Sequence, residues 1–111
     1  MTWSITHPMP LPSAANLRMH PMQRARRVAA QRQIGYLLVS ANSPPSLPAR
    51  ITLTRIAPRL LDDDNLAYAF KAVRDGVADA LGVNDRDPRV SWSYSQERGA
   101  AAIRITIEVR T

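Results

Sequence analysis

The chain has 111 residues, a length that suits one domain with one modest core. It is 45% hydrophobic and 22% charged, a globular balance, and carries a net charge of +6, which favours a polyanionic partner. Cysteine is absent, which excludes disulfides and thiolate metal sites. No run of about 18 apolar residues offers a membrane span, and the start MTWSITHPMP lacks the basic lead and apolar core of a signal peptide. The expectation is a cytoplasmic protein with no membrane partner.

The charge is unevenly distributed. All seven aspartates lie between Asp62 and Asp87, against Lys71, Arg74 and Arg86, so that window nets −4. The remainder holds twelve arginines against Glu97 and Glu108, a net of +10. An acidic island in a basic chain suits a protein that holds phosphates on one surface and cations on another. It also suits an acidic helix start followed by an acidic turn.

In chain order, Trp3 and Ile5 alternate with Ser4 and Thr6, which predicts a first strand. Pro8, Pro10 and Pro12 end it, because proline donates no backbone hydrogen bond; residues 1–20 thus read as a strand plus a proline-rich basic loop. Pro21 suits the first position of a helix. Residues 22–39 then read as one helix with a basic first half, holding Arg24, Arg26, Arg27 and Arg32, and a buried apolar second half. Those four arginines and Arg18 are the candidate DNA-binding residues; ordinary solvation explains them equally well.

Residues 41–48, ANSPPSLP, read as a loop. Ile51 and Leu53 alternate with polar neighbours in a second strand that Pro58 ends. Leu66, Phe70, Val73, Val77 and Leu81 then form one apolar stripe, predicting a single second helix that Gly82 caps. Asp64, Tyr68, Lys71 and Asp75 fall on its opposite face. One of Asp62, Asp63 and Asp64 is expected to cap its start, where negative charge suits the helix dipole. Residues 84–88 turn the chain. Val90, Trp92 and Tyr94 predict a third strand, residues 97–100 a turn, and Ile103, Ile105, Ile107 and Val109 a fourth. The order β-α-β-α-β-β gives a single small α+β domain over residues 1–111, a mixed sheet packed against two helices, with the last two strands paired as an antiparallel hairpin.

For chemistry, the chain has no glycine-rich phosphate loop. His7 and His20 lie in or near a loop with no placed nucleophile. The informative segment runs from Asp62 to Val90. Asp62 and Asp64 stand two apart at a helix start, and Asp85 and Asp87 two apart in the turn after that helix. A helix of this length spans roughly 25–30 Å, so its two ends do not meet along the axis, and Asp87 approaches Asp62 and Asp64 only if the chain after Gly82 returns toward the helix start. Lys71 either offsets phosphate charge or pairs with Asp75 at i,i+4.

At these residues the sequence resembles the RusA family of Holliday junction resolvases, of phage and prophage type. D-D-D-N-L at 62–66, K-x-x-x-D at 71–75 and D-x-x-V at 87–90 carry the resemblance, with the opening SIT-HPMPLPS. The family lysine stands four residues after the second motif aspartate, where this chain has Tyr68; Lys71 comes three residues later. The resemblance implies a Mg²⁺-dependent endonuclease acting on branched or four-way junction DNA. Asp62, Asp64 and Asp87 would be the metal-binding acids and Lys71 the catalytic lysine. It also implies a homodimer that brings acids together around its cleft. Asp63, Asp75 and Asp85 receive no role. Two other readings stay open: a DNA-binding relative without catalysis, and a structural phage protein.

Overall fold

In each strand, apolar side chains alternate with hydroxyl-bearing or charged ones, so each strand must put one face inward and one outward. The computed structural model describes residues 1–13, 20–84 and 86–110. Its elements are β1 (Thr2–His7), α1 (Pro21–Ser40), β2 (Ala49–Ala57), α2 (Asp63–Ala69), α3 (Lys71–Leu81), β3 (Val90–Arg98) and β4 (Ala102–Val109). This is the α+β domain expected, with a four-stranded mixed sheet. Among the described residues, no helix is long and apolar enough to cross a membrane.

The sheet order is β1-β4-β2-β3. β4 pairs antiparallel with β1 and with β2, whereas β2 and β3 pair in parallel. Ile51, Leu53, Ile103, Ile105 and Ile107 are fully buried on the inner face, under Val39, Leu66, Phe70, Val73 and Val77 from the helices. Each such side chain contributes about 1.5–3 kcal/mol by leaving water. The outer face is polar. There Thr52 and Thr54 hydrogen-bond Ser93 and Ser95 at 2.7 and 2.6 Å, and Arg104 bonds Glu97 and Thr6.

Three expectations are corrected. β3 and β4 are not a hairpin, because β2 lies between them. Residues 99–101 step across the end of β2, where the Gly99 N–H donates to the Ala57 carbonyl at 3.1 Å. Two strand spacings are about 10 Å, and four Cα steps reach up to about 14 Å, so the short link suffices. β2 is the most continuously buried strand and takes the inner position; β3 is only partly buried along most of its length and takes an edge.

The second helix is two helices. The break falls at Phe70, with φ −85° and ψ −3°, between α2 and α3. Its ring is seated against Tyr94, centroids 6.0 Å apart, and the stripe of Leu66, Phe70, Val73 and Val77 stays continuous across the break.

Finally, the second half of α1 buries one side only. Gln31, Gly35 and Val39 are inside, while Tyr36 and Leu37 are exposed. A helix laid over one face of a sheet leaves its outer side to water.

Candidate functional site

The acidic residues sit where β2 gives way to α2. Pro58 ends β2 as expected, and two inward-facing side chains hold the chain that follows. Arg55 donates from Nε to the Leu11 carbonyl at 2.6 Å and from Nη1 to the Arg59 carbonyl at 2.7 Å. Gln96 bonds both sides of one residue: the Leu61 N–H donates to Oε1 at 2.8 Å, and Nε2 donates to the Leu61 carbonyl at 2.7 Å. Burial lowers the Arg55 pKa, and backbone carbonyls receive its donors there.

Asp62 follows this clamp at the N-cap position of α2, with extended backbone. Its side chain makes no capping hydrogen bond, contrary to the expected cap. Asp63 and Asp64 occupy the first turn, and all three are exposed. Negative charge here suits the positive end of the helix dipole.

Lys71 opens α3. Its Nζ lies 3.9 Å from Asp75 Oδ2 in an i,i+4 pair of an exposed lysine with a half-buried aspartate, an interaction worth a few tenths of a kcal/mol.

Asp87 lies elsewhere. β2 and β3 run in parallel from Ala49 and Val90 at one end to Ala57 and Arg98 at the other. Asp62 follows the far end of β2 and Asp87 precedes the near end of β3. Nine residues of strand, roughly 25 Å, lie between those ends. Among the described residues, no group of three or more His, Asp or Glu is placed to hold one metal ion. Asp62 and Asp64 thus share the start of α2, and Asp87 lies apart from them at the other end of the sheet. Asp87 is instead engaged by Arg89, whose N–H and Nε donate to Oδ1 at 2.9 and 3.0 Å and whose Nη2 donates to Oδ2 at 2.8 Å. The guanidinium and backbone donors of Arg89 hold its carboxyl down at about 2. Asp85 lies outside the described residues.

The basic candidates divide as well. Arg24 and Arg26 are exposed on the first half of α1, with Arg27 half-buried beside them. Arg32 is committed to α3: Nε and Nη2 donate to the two Asp79 oxygens at 2.7 and 3.0 Å. That hydrogen-bonded pair raises the Arg32 pKa and lowers that of Asp79. Arg18 lies outside the described residues.

Sequence reasoning missed Arg55 and Gln96, and also Arg74. The Arg74 guanidinium sits 4.6 Å over the Trp92 ring and donates from Nη1 to the Tyr94 hydroxyl at 2.9 Å. Strand parity was the available signal. Arg55 follows Ile51 and Leu53, and Gln96 follows Trp92 and Tyr94, on the inward-facing positions.

No family model matches the chain. A protein of Xylella fastidiosa described as an uncharacterized protein is 40% identical over 97 residues, an alignment covering 75% of this chain and 60% of that relative. The chain thus spans less than two thirds of that relative's length.

Proposed function

We propose that the protein is a Mg²⁺-dependent, structure-selective endonuclease acting on branched DNA. The observation that carries this reading is the acidic start of α2. Asp62 and Asp64 are exposed, Asp62 makes no cap bond, and the loop before them is clamped by Arg55 and Gln96. Mg²⁺ keeps several waters and needs only one or two protein carboxylates beside substrate phosphates, so Asp62 and Asp64 fit as its ligands. When bound, the ion supplies an activated water and offsets charge on the phosphoryl oxygens.

The chain's own residues would do the rest. Arg55 and Gln96 fix the loop, so the carboxylates need no reorganisation when DNA arrives. Lys71, one helix further on, would set a positive charge beside the scissile phosphate by leaving its loose contact with Asp75. The basic half of α1 would hold phosphates away from the acids. The DNA substrate class rests on the D-D-D-N-L resemblance and the +6 charge.

One observation favours a second reading, a DNA-binding relative without catalysis: Asp87, the third acid, is engaged by Arg89 at the other end of the sheet.

Asp64→Asn distinguishes the two. It keeps shape and removes the charge that would hold the ion. Cleavage of a synthetic four-way junction in Mg²⁺ should fall by more than the roughly 10–100-fold that an outer-shell metal partner is worth. Junction affinity and melting temperature should stay near wild type, because Asp64 is exposed and asparagine suits a helix start. Full cleavage by the variant would refute the metal assignment. Junction binding by the wild type without any Mg²⁺-dependent cleavage would establish the second reading.

A further inference from the structure

The first 61 residues contain eight arginines and no carboxylate. Within them, residues 21–30 form the first half of α1, and every one is exposed except Arg27, which is half-buried. The packing of α1 against α3 falls further along, at Arg32, Gly35 and Tyr36. Half of a 20-residue helix, roughly 15 Å, is therefore largely open to solvent.

Its local chemistry runs against its own stability. The first turn has no acidic residue. Instead, Arg24 stands close to the positive end of the helix dipole, where cations are unfavourable, and Arg26 and Arg27 add like charge in the next turn. The cap is a histidine, His20, whose Nδ1 accepts from the Met22 N–H at 3.2 Å. Among the described residues, no ion pair engages Arg24 or Arg26. A polyanion laid along this segment removes the arginine–arginine and arginine–dipole repulsion together.

Two anionic surfaces could do so, and the helix distinguishes them. An interfacial membrane helix segregates apolar from basic residues onto opposite faces. In α1 they are spread around the axis, with exposed Met22 and Val28 interleaved among the arginines. That pattern gives no apolar face to bury in acyl chains, whereas a phosphate backbone requires only charge.

We infer that residues 21–30 are a basic arm that lies on the sugar-phosphate backbone of duplex DNA. The inference rests on the nucleic-acid part of the proposed function and not on its cleavage chemistry. It assigns Arg24 and Arg26 to phosphate contact and removes Arg32, which is committed to Asp79.

The test is anisotropy binding of the intact protein to a labelled duplex and a four-way junction in EDTA, across a salt series. Each phosphate contact contributes about 0.9 to the slope of log affinity against log salt. The double variant Arg24→Gln, Arg26→Gln should be shallower by about 1.8 units, which between 50 and 200 mM salt is roughly 12-fold. Arg32→Gln should leave the slope unchanged. His20→Asp supplies a second arm of the test, because it improves the helix cap and adds a negative charge beside the arginines. It should raise the melting temperature while flattening the slope by about one unit, a divergence that a purely structural role does not produce.

If the wild type binds and neither the Arg24, Arg26 variant nor His20→Asp changes the slope, the arm is refuted and the nucleic-acid reading stands. If the wild type binds neither DNA at 50 mM salt, both fall. Binding to phosphatidylserine vesicles in place of DNA also overturns the inference.

Discussion

Asp87 accepts three hydrogen bonds from Arg89, two residues on, across Pro88. Proline fixes its own φ, so the turn presents the carboxylate and guanidinium to one another with little freedom to lose. Hydrogen bonding by Arg89, more than its charge, holds the carboxyl at about 2, while Asp87 raises the Arg89 pKa in return. The folded value lies below the ordinary aspartate value of about 3.9. The pair therefore stabilises the fold fully above that value and loses its contribution as pH falls from about 4 through about 2. A carboxyl-detected NMR titration should place the Asp87 midpoint near 2 and, in Arg89→Gln, return it toward about 4. A wild-type midpoint near 4 would mean that the pair does not persist in solution. The spacing of Asp87 and Arg89 was visible in the sequence, and so was the turn. Which cation the carboxylate prefers was not, because a guanidinium two residues away and a metal ion read by the same acid leave the same letters.

The stripe Leu66, Phe70, Val73, Val77 was legible because helical periodicity is a local property of the chain. What locks α1 to α3 is not local. A Cβ at Gly35 would strike the Val73 carbonyl, and one at Gly76 would strike the Arg32 carbonyl and come within 2.8 Å of the Tyr36 nitrogen. The two helices interlock backbone to backbone at glycines 41 positions apart, and a glycine gives no apolar signal to read. In an unconstrained helix, Gly→Ala gains up to about 1 kcal/mol. Here each such change forces the helices apart, and overpacking of this kind costs about 1–3 kcal/mol. Gly35→Ala and Gly76→Ala should each lower the urea midpoint accordingly with an unchanged m-value. A rise in either would refute the close crossing. The Arg32–Asp79 bridge spans the same contact, so Arg32→Ala should add to neither loss in full, because neighbouring changes couple. The same limit explains the β3–β4 error. Two strands joined by three residues look locally like a hairpin, and only the competition for the buried central position places β2 between them. Arg55 and Gln96 were half legible: strand parity put them inward, where a polar side chain must find partners, but which loop they clamp is a tertiary fact.

Over the whole molecule, the acids divide between two ends of the sheet, Asp62 and Asp64 after β2 and Asp87 before β3. No motion of a side chain closes roughly 25 Å, so within one chain these residues are separate features. In the homodimer that the resemblance to the junction resolvases implies, they need not be. A two-fold axis repeats every surface feature, and it can set the Asp62 end of one copy against the Asp87 end of the other, forming two equivalent mixed sites. A four-way junction presents two symmetry-related phosphates, which such a pair of sites would match. The arrangement makes a prediction that separates it from a metal site built within one chain. Asp64→Asn and Asp87→Asn should each be inactive alone. Mixed after co-refolding, they should regain cleavage, because in the heterodimer one site receives both substitutions and the other receives neither. About half of the molecules in an equal mixture are heterodimers, each with one intact site, so nicking of one junction strand should return to roughly a quarter of the wild-type site count. Paired cleavage of both strands within one binding event should not return. If Asp87→Asn alone cleaves at the wild-type rate, Asp87 serves only its turn with Arg89. If it is inactive and the mixture stays inactive, the acids do not combine across the axis.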